Sequence, residues 1–332
     1  MQASVYGWVK ARVPFKIGNT VLIKQGGLSP VIPFVCAGIV VLGLFVLWQR
    51  HLKNAGKQPL LDLTILKGRA AAVGLPTVMA LMFMQAGLLF VAPVYLQMSL
   101  GLSPLLSGLT VLPLTVFPIV VSQMTAKLTA RFSPRSLVRL GMLLIPVGIV
   151  VVWLMLQDKP KAIQMIPGFI IVGIGIGLAA APLLNMVQSS ALAAKQGDIS
   201  GVNRAVSNLG GALGTAVAGA ILMSVLIASL SGLIMKNNVI PADGKTHLVQ
   251  ALPQDAKTVS DAQAKKYLSR KGFQPDVANA LYDINQTARN KGLLSALLAI
   301  GVLGLLGFAC SIFLPRGALG AAKVESDAAG AS

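Results

Sequence analysis

The side chains able to transfer protons or bind metal ions lie outside the apolar stretches of this chain. All ten acidic residues and both histidines fall in segments that the hydropathy pattern assigns to loops or tails. Ion-coupled transporters mark a proton relay with such groups at membrane depth, and hydrolases need a nucleophile or metal ligands to converge. The sequence therefore predicts no enzyme, no metal site and no bound cofactor. The residues are Asp62, Asp158, Asp198, Asp243, Asp255, Asp261, Asp276, Asp283, Glu325, Asp327, His51 and His247.

Gln85 is the polar side chain nearest the middle of an apolar stretch, and it stands among Met79, Met82 and Met84. A buried amide requires a hydrogen-bond partner or water. One interpretation is an interhelical hydrogen bond, worth about 0.6–2 kcal/mol in model systems. The alternative is a cavity wall, because flexible thioethers such as that of Met82 can re-pack around varied apolar ligands.

Glycines recur at helical spacing in two further apolar stretches. Gly173 and Gly177 belong to a Gly-Ile-Gly-Ile-Gly run that resembles part of a dinucleotide fingerprint, but no strand precedes it and no acidic ribose ligand follows. Gly210 and Gly214 give a second stretch a face of small residues. Both pairs predict close packing of neighbouring helices, with a sliding gate helix as the alternative for the second pair.

Membrane-spanning helices must position these residues. From Ala70 to Ala126 the chain runs 57 residues without Asp, Glu, Lys or Arg, whereas one span needs about 20 apolar residues. With 55% hydrophobic and 11% charged residues, the sequence predicts an all-α polytopic membrane protein. The seven expected spans lie near 29–48, 71–97, 104–126, 136–156, 163–187, 206–234 and 292–314.

The formal net charge of +18 follows membrane topology rather than nucleic-acid binding. The basic residues sit between apolar runs and not on one surface with interleaved aromatics. Thirteen of those in short connections fall on one side and six on the other, so we expect a cytoplasmic C-terminus in a cell (plasma or inner) membrane. The predicted segments are a basic arm (1–28), an extra linker span (29–48), a cytoplasmic link (49–70), spans two to six (71–234), a long external loop (235–291), the last span (292–314) and a cytoplasmic tail (315–332). Within the external loop, a surface helix over 257–291 is one interpretation.

The ends and cysteines of the chain add two expectations. Cys36 and Cys310 lie in apolar segments without partners at metal-ligand spacing, so neither a disulfide nor a zinc framework is indicated. The basic arm lacks the apolar core of a signal peptide. This arm would lie outside, as if the chain began in the middle of a longer protein.

Four basic residues crowd the connection between spans three and four. Lys127, Arg131, Arg135 and Arg139 are hereafter called the basic turn. Membrane topology alone accounts for them. The alternative interpretation is a gating contact on the cytoplasmic side.

Several short motifs, in order along the chain, resemble a known family. The first group resembles the later spans of major facilitator drug exporters, and the second resembles the penultimate helices of their fourteen-helix drug:proton antiporter branch. The first group is Tyr95-Leu-Gln97, Gly101-Leu-Ser-Pro104, Ser107-Gly108, Leu112-Pro113 and the turn from Arg131 to Gly141. The second is Gly173-x-Gly175-x-Gly177 leading to Pro182, Asp198-Ile-Ser-Gly201 and the run from Asn208 to Ala216.

The resemblance covers residues 29–315 and implies a C-terminal transporter half preceded by one extra helix. Spans two, three, five and six would line a cavity, with Gln85 and Met82 contacting hydrophobic or cationic substrates. Its energy source would be the proton gradient. The coupling residues and the N-terminal half would lie elsewhere, in the same or a companion chain within the lipid bilayer. The alternatives are a transporter of a lipid, metabolite or siderophore, or a non-transporting remnant or accessory subunit.

Overall fold

The computed structural model describes residues 15–17, 20–23, 31–55, 68–155, 161–190, 195–237, 239 and 275–315. Within these residues, seven helical segments are long and apolar enough to cross a membrane, which confirms the predicted all-α polytopic fold. The basic arm also contains a short antiparallel hairpin, which the sequence analysis did not predict. The elements are β1 (Phe15–Ile17), β2 (Thr20–Ile23), α1 (Val31–Asn54), α2 (Arg69–Met98), α3 (Pro104–Val111), α4 (Pro113–Leu128), α5 (Pro134–Met155), α6 (Ala162–Gln188), α7 (Gln196–Lys236) and α8 (Pro275–Ile312).

The chain divides into two compact units, one made of residues 1–62 with 234–258 and the other of residues 63–233 with 259–332. The first unit contains the hairpin and α1, whose apolar side chains are largely exposed. Acyl chains are as apolar as these side chains, so a bilayer covers such a surface without penalty. The second unit contains the other six spans, in which α3 and α4 together form one span.

Proline and glycine set the turns between the helices. Gly101 has a φ of +63°, a left-handed conformation that glycine adopts without steric cost, and it separates α2 from α3. The hydroxyl of Ser103 accepts a hydrogen bond from the Leu106 amide at 3.3 Å and so caps α3. Pro113 begins α4 directly after Leu112, whose backbone angles are helical. Since proline at the first helical position lacks only an N–H that would be unpaired there, α3 and α4 continue one another as one span.

The two long helices extend beyond the predicted spans. α8 has 38 residues, and at 1.5 Å per residue it measures about 57 Å, against a hydrocarbon layer of about 30 Å. Its part before Gly292 falls within the predicted external loop, in which a surface helix over 257–291 was one interpretation, and Asp276 and Asp283 lie in this helix. α7 likewise begins ten residues before the predicted span 206–234. The rest of the predicted loop, 240–274, lies outside the described residues.

The core of the second unit lies where α2, α5, α6 and α8 meet. α5 packs along α6, and α8 packs along both α2 and α5. The largest fully buried side chains at this centre are those of Met84, Met142, Ile145 and Phe169. Because lipid tails are as apolar as these residues, close packing rather than transfer from water holds the helices together. The bundle thus has an inner column of helices surrounded by more exposed ones.

Candidate functional site

Gln85 lies halfway along α2 and is half-buried. Gly74 precedes it by eleven residues, which is close to three turns at 3.6 residues per turn, so both residues share one face of α2. Gly74 packs against Val187 of α6. The Gln85 side chain therefore belongs to the side of α2 on which α6 lies, and no described residue is hydrogen-bonded to its amide.

Met82 lies next to Gln85 around the same helix and packs against the core while part of its side chain stays exposed. Met84, by contrast, is completely buried, on the side of α2 that meets Gly304 of α8. The methionines around Gln85 therefore have different surroundings. Met82 and Gln85 form a half-buried pair with an amide and a thioether on one side of α2.

α7 approaches the backbone of α2 through glycines. A methyl group built on Gly210 would lie 2.5 Å from the carbonyl oxygen of Met79, and one on Gly214 would collide with the carbonyl oxygen of Phe83. Further along, Gly219 faces the ring of Phe90. Since the contacts advance together along both helices, α7 runs parallel to α2. Any larger side chain at Gly210 or Gly214 would force the two backbones apart.

The other glycine pair holds α6 against α4. A methyl group on Gly173 would lie 2.7 Å from the carbonyl oxygen of Pro113, and one on Gly177 would lie 2.7 Å from Cβ of Val121. Other glycines of α6 allow a similarly close approach to α5. A methyl group on Gly175 would lie 2.8 Å from the carbonyl oxygen of Gly141. α6 thus has small residues on two faces, each against a different helix.

The basic turn divides into two pairs. The guanidinium groups of Arg135 and Arg139 both donate to the carbonyl oxygen of Ile312 at the end of α8, and Arg139 also donates to that of Ser311 at 3.5 Å. The last carbonyls of a helix lack partners within it and carry partial negative charge, so the two arginines stabilise this end of α8. Lys127 and Arg131 are exposed on the surface.

Arg289 is a buried charge that the sequence pattern did not single out, because it lies in the part of α8 that was predicted to be loop. It is 9% exposed and donates to the carbonyl oxygen of Met98 at 2.6 Å, at the last residue of α2. A guanidinium thus stabilises the end of α2, as Arg135 and Arg139 stabilise the end of α8. Beside it, the buried Oδ1 atom of Asn290 has no hydrogen-bond partner among the described residues.

The acidic residues of the described α7 and α8 lie near the first turns of these helices. Asp283 of α8 is exposed and precedes Gly292 by nine residues, or about 13 Å of helix. Asp198 lies in the first turn of α7. Among the described residues, no three His, Cys, Asp or Glu side chains lie together in a group that could bind a metal ion. The acidic side chains of the described α7 and α8 thus lie towards the polar beginnings of these helices.

Comparisons with known proteins agree with this arrangement. Residues 20–215 match the family described as Major Facilitator Superfamily. The probable actinorhodin transporter of Streptomyces coelicolor is 26% identical over 193 residues, which cover 57% of this chain and 33% of that protein. The multidrug efflux pump LfrA of Mycolicibacterium smegmatis is 30% identical over 184 residues, covering 55% of this chain and 36% of that protein.

A longer alignment joins the chain to the tetracenomycin C resistance and export protein of Streptomyces glaucescens. The two are 26% identical over 281 residues, which cover 84% of this chain and 50% of that protein. The chain therefore spans about a third to a half of the length of the curated relatives it matches.

Proposed function

Because this chain belongs to the Major Facilitator Superfamily and is a multi-pass membrane transporter and not an enzyme, we propose that it is part of a multidrug exporter. The substrates are hydrophobic, often cationic compounds, and the energy comes from the proton gradient. The observation that carries the proposal is the family match together with relatives named as a multidrug efflux pump, a resistance and export protein and a probable actinorhodin transporter.

The proposal assigns this chain the C-terminal half of the transporter plus one preceding helix. Transporters of this kind bind substrate near the bilayer midplane between two halves, and alternating access comes from rocking one half against the other. The matches cover 33% and 36% of two relatives, a length that one half of a transporter can accommodate. The missing N-terminal half, in the same or a companion chain, would supply the proton-coupling carboxylates.

Uneven burial of the spans supports a contact face on α4 and α7. In the most apolar window of α6, 61% of residues are buried, against 22% in the span formed by α3 and α4 and 22% in α7. The exposed side chains include Gln123 and Asn208, and an amide is disfavoured against lipid tails because it finds no hydrogen-bond partner there. A helix face with exposed amide side chains is better placed against the other half of the transporter or against water than against lipid.

Gln85 and Met82 are the substrate contacts in this proposal. An amide without a described hydrogen-bond partner can pair with a polar group of a ligand, while the thioether adapts to apolar ligands of different shapes. The orientation follows the basic residues, with the C-terminus cytoplasmic in the plasma or inner membrane.

Apparent size in source-cell membranes is the first test. An antibody against residues 275–291 would be used to immunoblot those membranes, since this chain alone has a mass of 34.5 kDa. A band of well above that mass supports part of a complete exporter. A band at 34.5 kDa together with no interacting transporter half would contradict the proposal and favour a remnant or accessory subunit.

Efflux measures the activity itself. The gene that encodes the larger band of the first test, expressed in a bacterium lacking its own pumps, is expected to lower ethidium accumulation, and collapse of the proton gradient should restore accumulation. Accumulation that stays unchanged for ethidium and for a panel of cationic and neutral antibiotics would contradict multidrug export and favour another cargo.

A further inference from the structure

The span formed by α3 and α4 is packed differently in its two parts. α4 lies against the backbone of α6, because a methyl group on Gly173 would lie 2.7 Å from the Pro113 carbonyl oxygen and one on Gly177 would lie 3.0 Å from that of Pro118. α3 packs against α2 more than against α6, and nothing lies within 4 Å of a methyl group built on Gly108. The two parts of one span are therefore held by different helices.

Hydrogen bonds tie α3 and the turn before it to α2. The amide of Leu102 donates to the carbonyl oxygen of Leu96 at 3.1 Å. The hydroxyl of Ser107 donates to the carbonyl oxygen of Pro93 at 3.5 Å, which is long for a hydrogen bond between two oxygen atoms. The buried residues of α3 follow one another at helical spacing, so this helix is held along one side only. They are Ser107, Thr110 and Val111.

The pattern of backbone hydrogen bonds changes at Leu112, between the two parts. Pro113 has no N–H, so the carbonyl of Leu109 cannot accept the hydrogen bond that a continuous helix would provide. The carbonyl of Leu112 accepts from the amides of Thr115 and Val116 at 3.0 Å each, and from the Thr115 hydroxyl at 2.9 Å. A bond that spans three residues in the middle of a helix often marks a hinge, and hydroxyl groups bonded to the preceding turn often bend helices.

We infer that this span bends at Leu112 and Pro113, so that α3 moves with α2 while α4 stays on α6. Sharp bends in long helices occur at proline. Pro118 lacks the same N–H, but its carbonyl lies against Gly177 of α6, so a bend there would have to displace α6 as well. In a transporter that works by alternating access, the bend would let α2 and α6 shift relative to one another without unfolding the span. To this extent the inference rests on the proposed function.

Distances between two spin labels, measured by double electron–electron resonance on the full chain in lipid nanodiscs, test the bend. Both label pairs relate the span to α5, one from α3 and the other from α4, and all four positions are exposed. The two native cysteines are first replaced by alanine. The first pair is Leu105→Cys with Leu154→Cys, and the second is Met124→Cys with Leu140→Cys. We expect the first distance distribution to be about twice as wide as the second, because α3 moves and α4 does not.

Pro113→Ala tests the position of the hinge, because it adds an N–H that can donate to the carbonyl of Leu109. In this variant the first distribution should narrow to the width of the second, and the second should stay unchanged. Pro118→Ala is the matched control, since it removes the same type of residue from the same span. Both of its distributions should equal those of the labelled parent protein.

Three results would overturn the hinge. These are equal widths for the two pairs in the parent protein, a first distribution that stays wide in Pro113→Ala, and an equal narrowing in Pro118→Ala. The labels report bending without transport, so the hinge can fail while ethidium export persists. Export can likewise fail while the two distributions still differ, so the two experiments distinguish this inference from the proposed function.

Discussion

α6 and α7 are both apolar, glycine-rich helices, yet they occupy different positions in the bundle. The glycines of α6 meet α4 on one face and α5 on another, and 61% of its most apolar window is buried. The glycines of α7 that have close neighbours meet α2, while Gly201 and Gly232 face open space and only 22% of its window is buried. Small residues on two faces produce an enclosed helix. The glycines of α7 bring it close to α2, Gly292 of α8 packs against its Leu222 backbone, and the rest of the helix surface stays more exposed.

This comparison has a mechanical consequence. A larger side chain in α6 has backbone on two sides, so the packing cannot relax in either direction. A larger side chain at the packed face of α7 can push that helix toward its exposed face. We therefore expect α6 to determine the stability of the bundle, and α7 to affect transport more than stability.

The largest effect is expected for Gly173→Leu in α6. Because even a methyl group there would lie 2.7 Å from the Pro113 carbonyl oxygen, overpacking should cost the upper end of about 1–3 kcal/mol. Fluorescence-detected size exclusion should show most of the monodisperse protein lost. Gly201→Leu is the matched control, since nothing lies within 4 Å of that position, and its elution profile should equal that of the wild type. Equal yields of the two variants would refute the enclosed position of α6.

Gly214→Leu in α7 should have the next largest effect. A side chain there collides with the Phe83 carbonyl, but α7 can move away from α2, so more folded protein should remain than for Gly173→Leu. In the complete transporter we expect efflux per folded molecule to fall at least fivefold, measured as ethidium export divided by membrane protein level. Normal protein level with normal efflux would show that this interface tolerates separation.

Loss of the arginines at the end of α8 should have a smaller effect on stability. The double variant Arg135→Gln with Arg139→Gln removes charged hydrogen bonds to the last carbonyls of α8, a loss of about 1–2 kcal/mol for partly exposed groups. The melting temperature in detergent should fall by a few degrees. The double variant Lys127→Gln with Arg131→Gln also removes two positive charges, but it breaks no hydrogen bond to α8. Its melting temperature should therefore equal that of the wild type. An equal fall in melting temperature for both double variants would mean that the lost positive charge, and not the lost contact with α8, lowers the stability.

Gln85→Ala should have the smallest effect on stability and a selective effect on transport. The amide has no described hydrogen-bond partner, so its removal should leave the melting temperature and membrane insertion intact. If it contacts substrate, the complete transporter should change its preference among exported compounds by about threefold to tenfold. Unchanged minimal inhibitory concentrations for a panel of cationic and neutral drugs would exclude the cavity role, with Leu89→Ala on the same helix as a control for lost volume.

Much of the fold follows from local properties of the chain. Hydropathy over windows of about 20 residues predicts the membrane spans, and the structure contains helices at each of them. Gly101 lies between the second and third predicted spans, and it adopts a left-handed backbone angle there. The family membership inferred from the short motifs is confirmed. The roles of Gln85, Met82 and the basic turn stay predictions.

The ends of α7 and α8 show where local patterns fail. Both helices continue past the apolar stretch into polar sequence, and a hydropathy window ends where apolarity ends, not where backbone hydrogen bonding ends. The polar first part of α8 was therefore assigned to the external loop, with a separate surface helix as one interpretation and not a continuation of the last span. Arg289 was missed for the same reason, although a basic residue a few positions before an apolar span was a usable signal.

Composition and periodicity were enough to establish a polytopic membrane protein, because burial in lipid is a property of each segment alone, and the resemblance of short motifs indicated the superfamily. Tertiary structure decided which helix each glycine contacts. It also brought Arg135 and Arg139 to the carbonyl of Ile312 at the end of α8, from which they are 177 and 173 residues away in sequence. It likewise brought Arg289 to Met98 across 191 residues. Such contacts depend on how helices are arranged around one another, and many arrangements satisfy the same hydropathy while only one places these guanidinium groups on unpaired carbonyls.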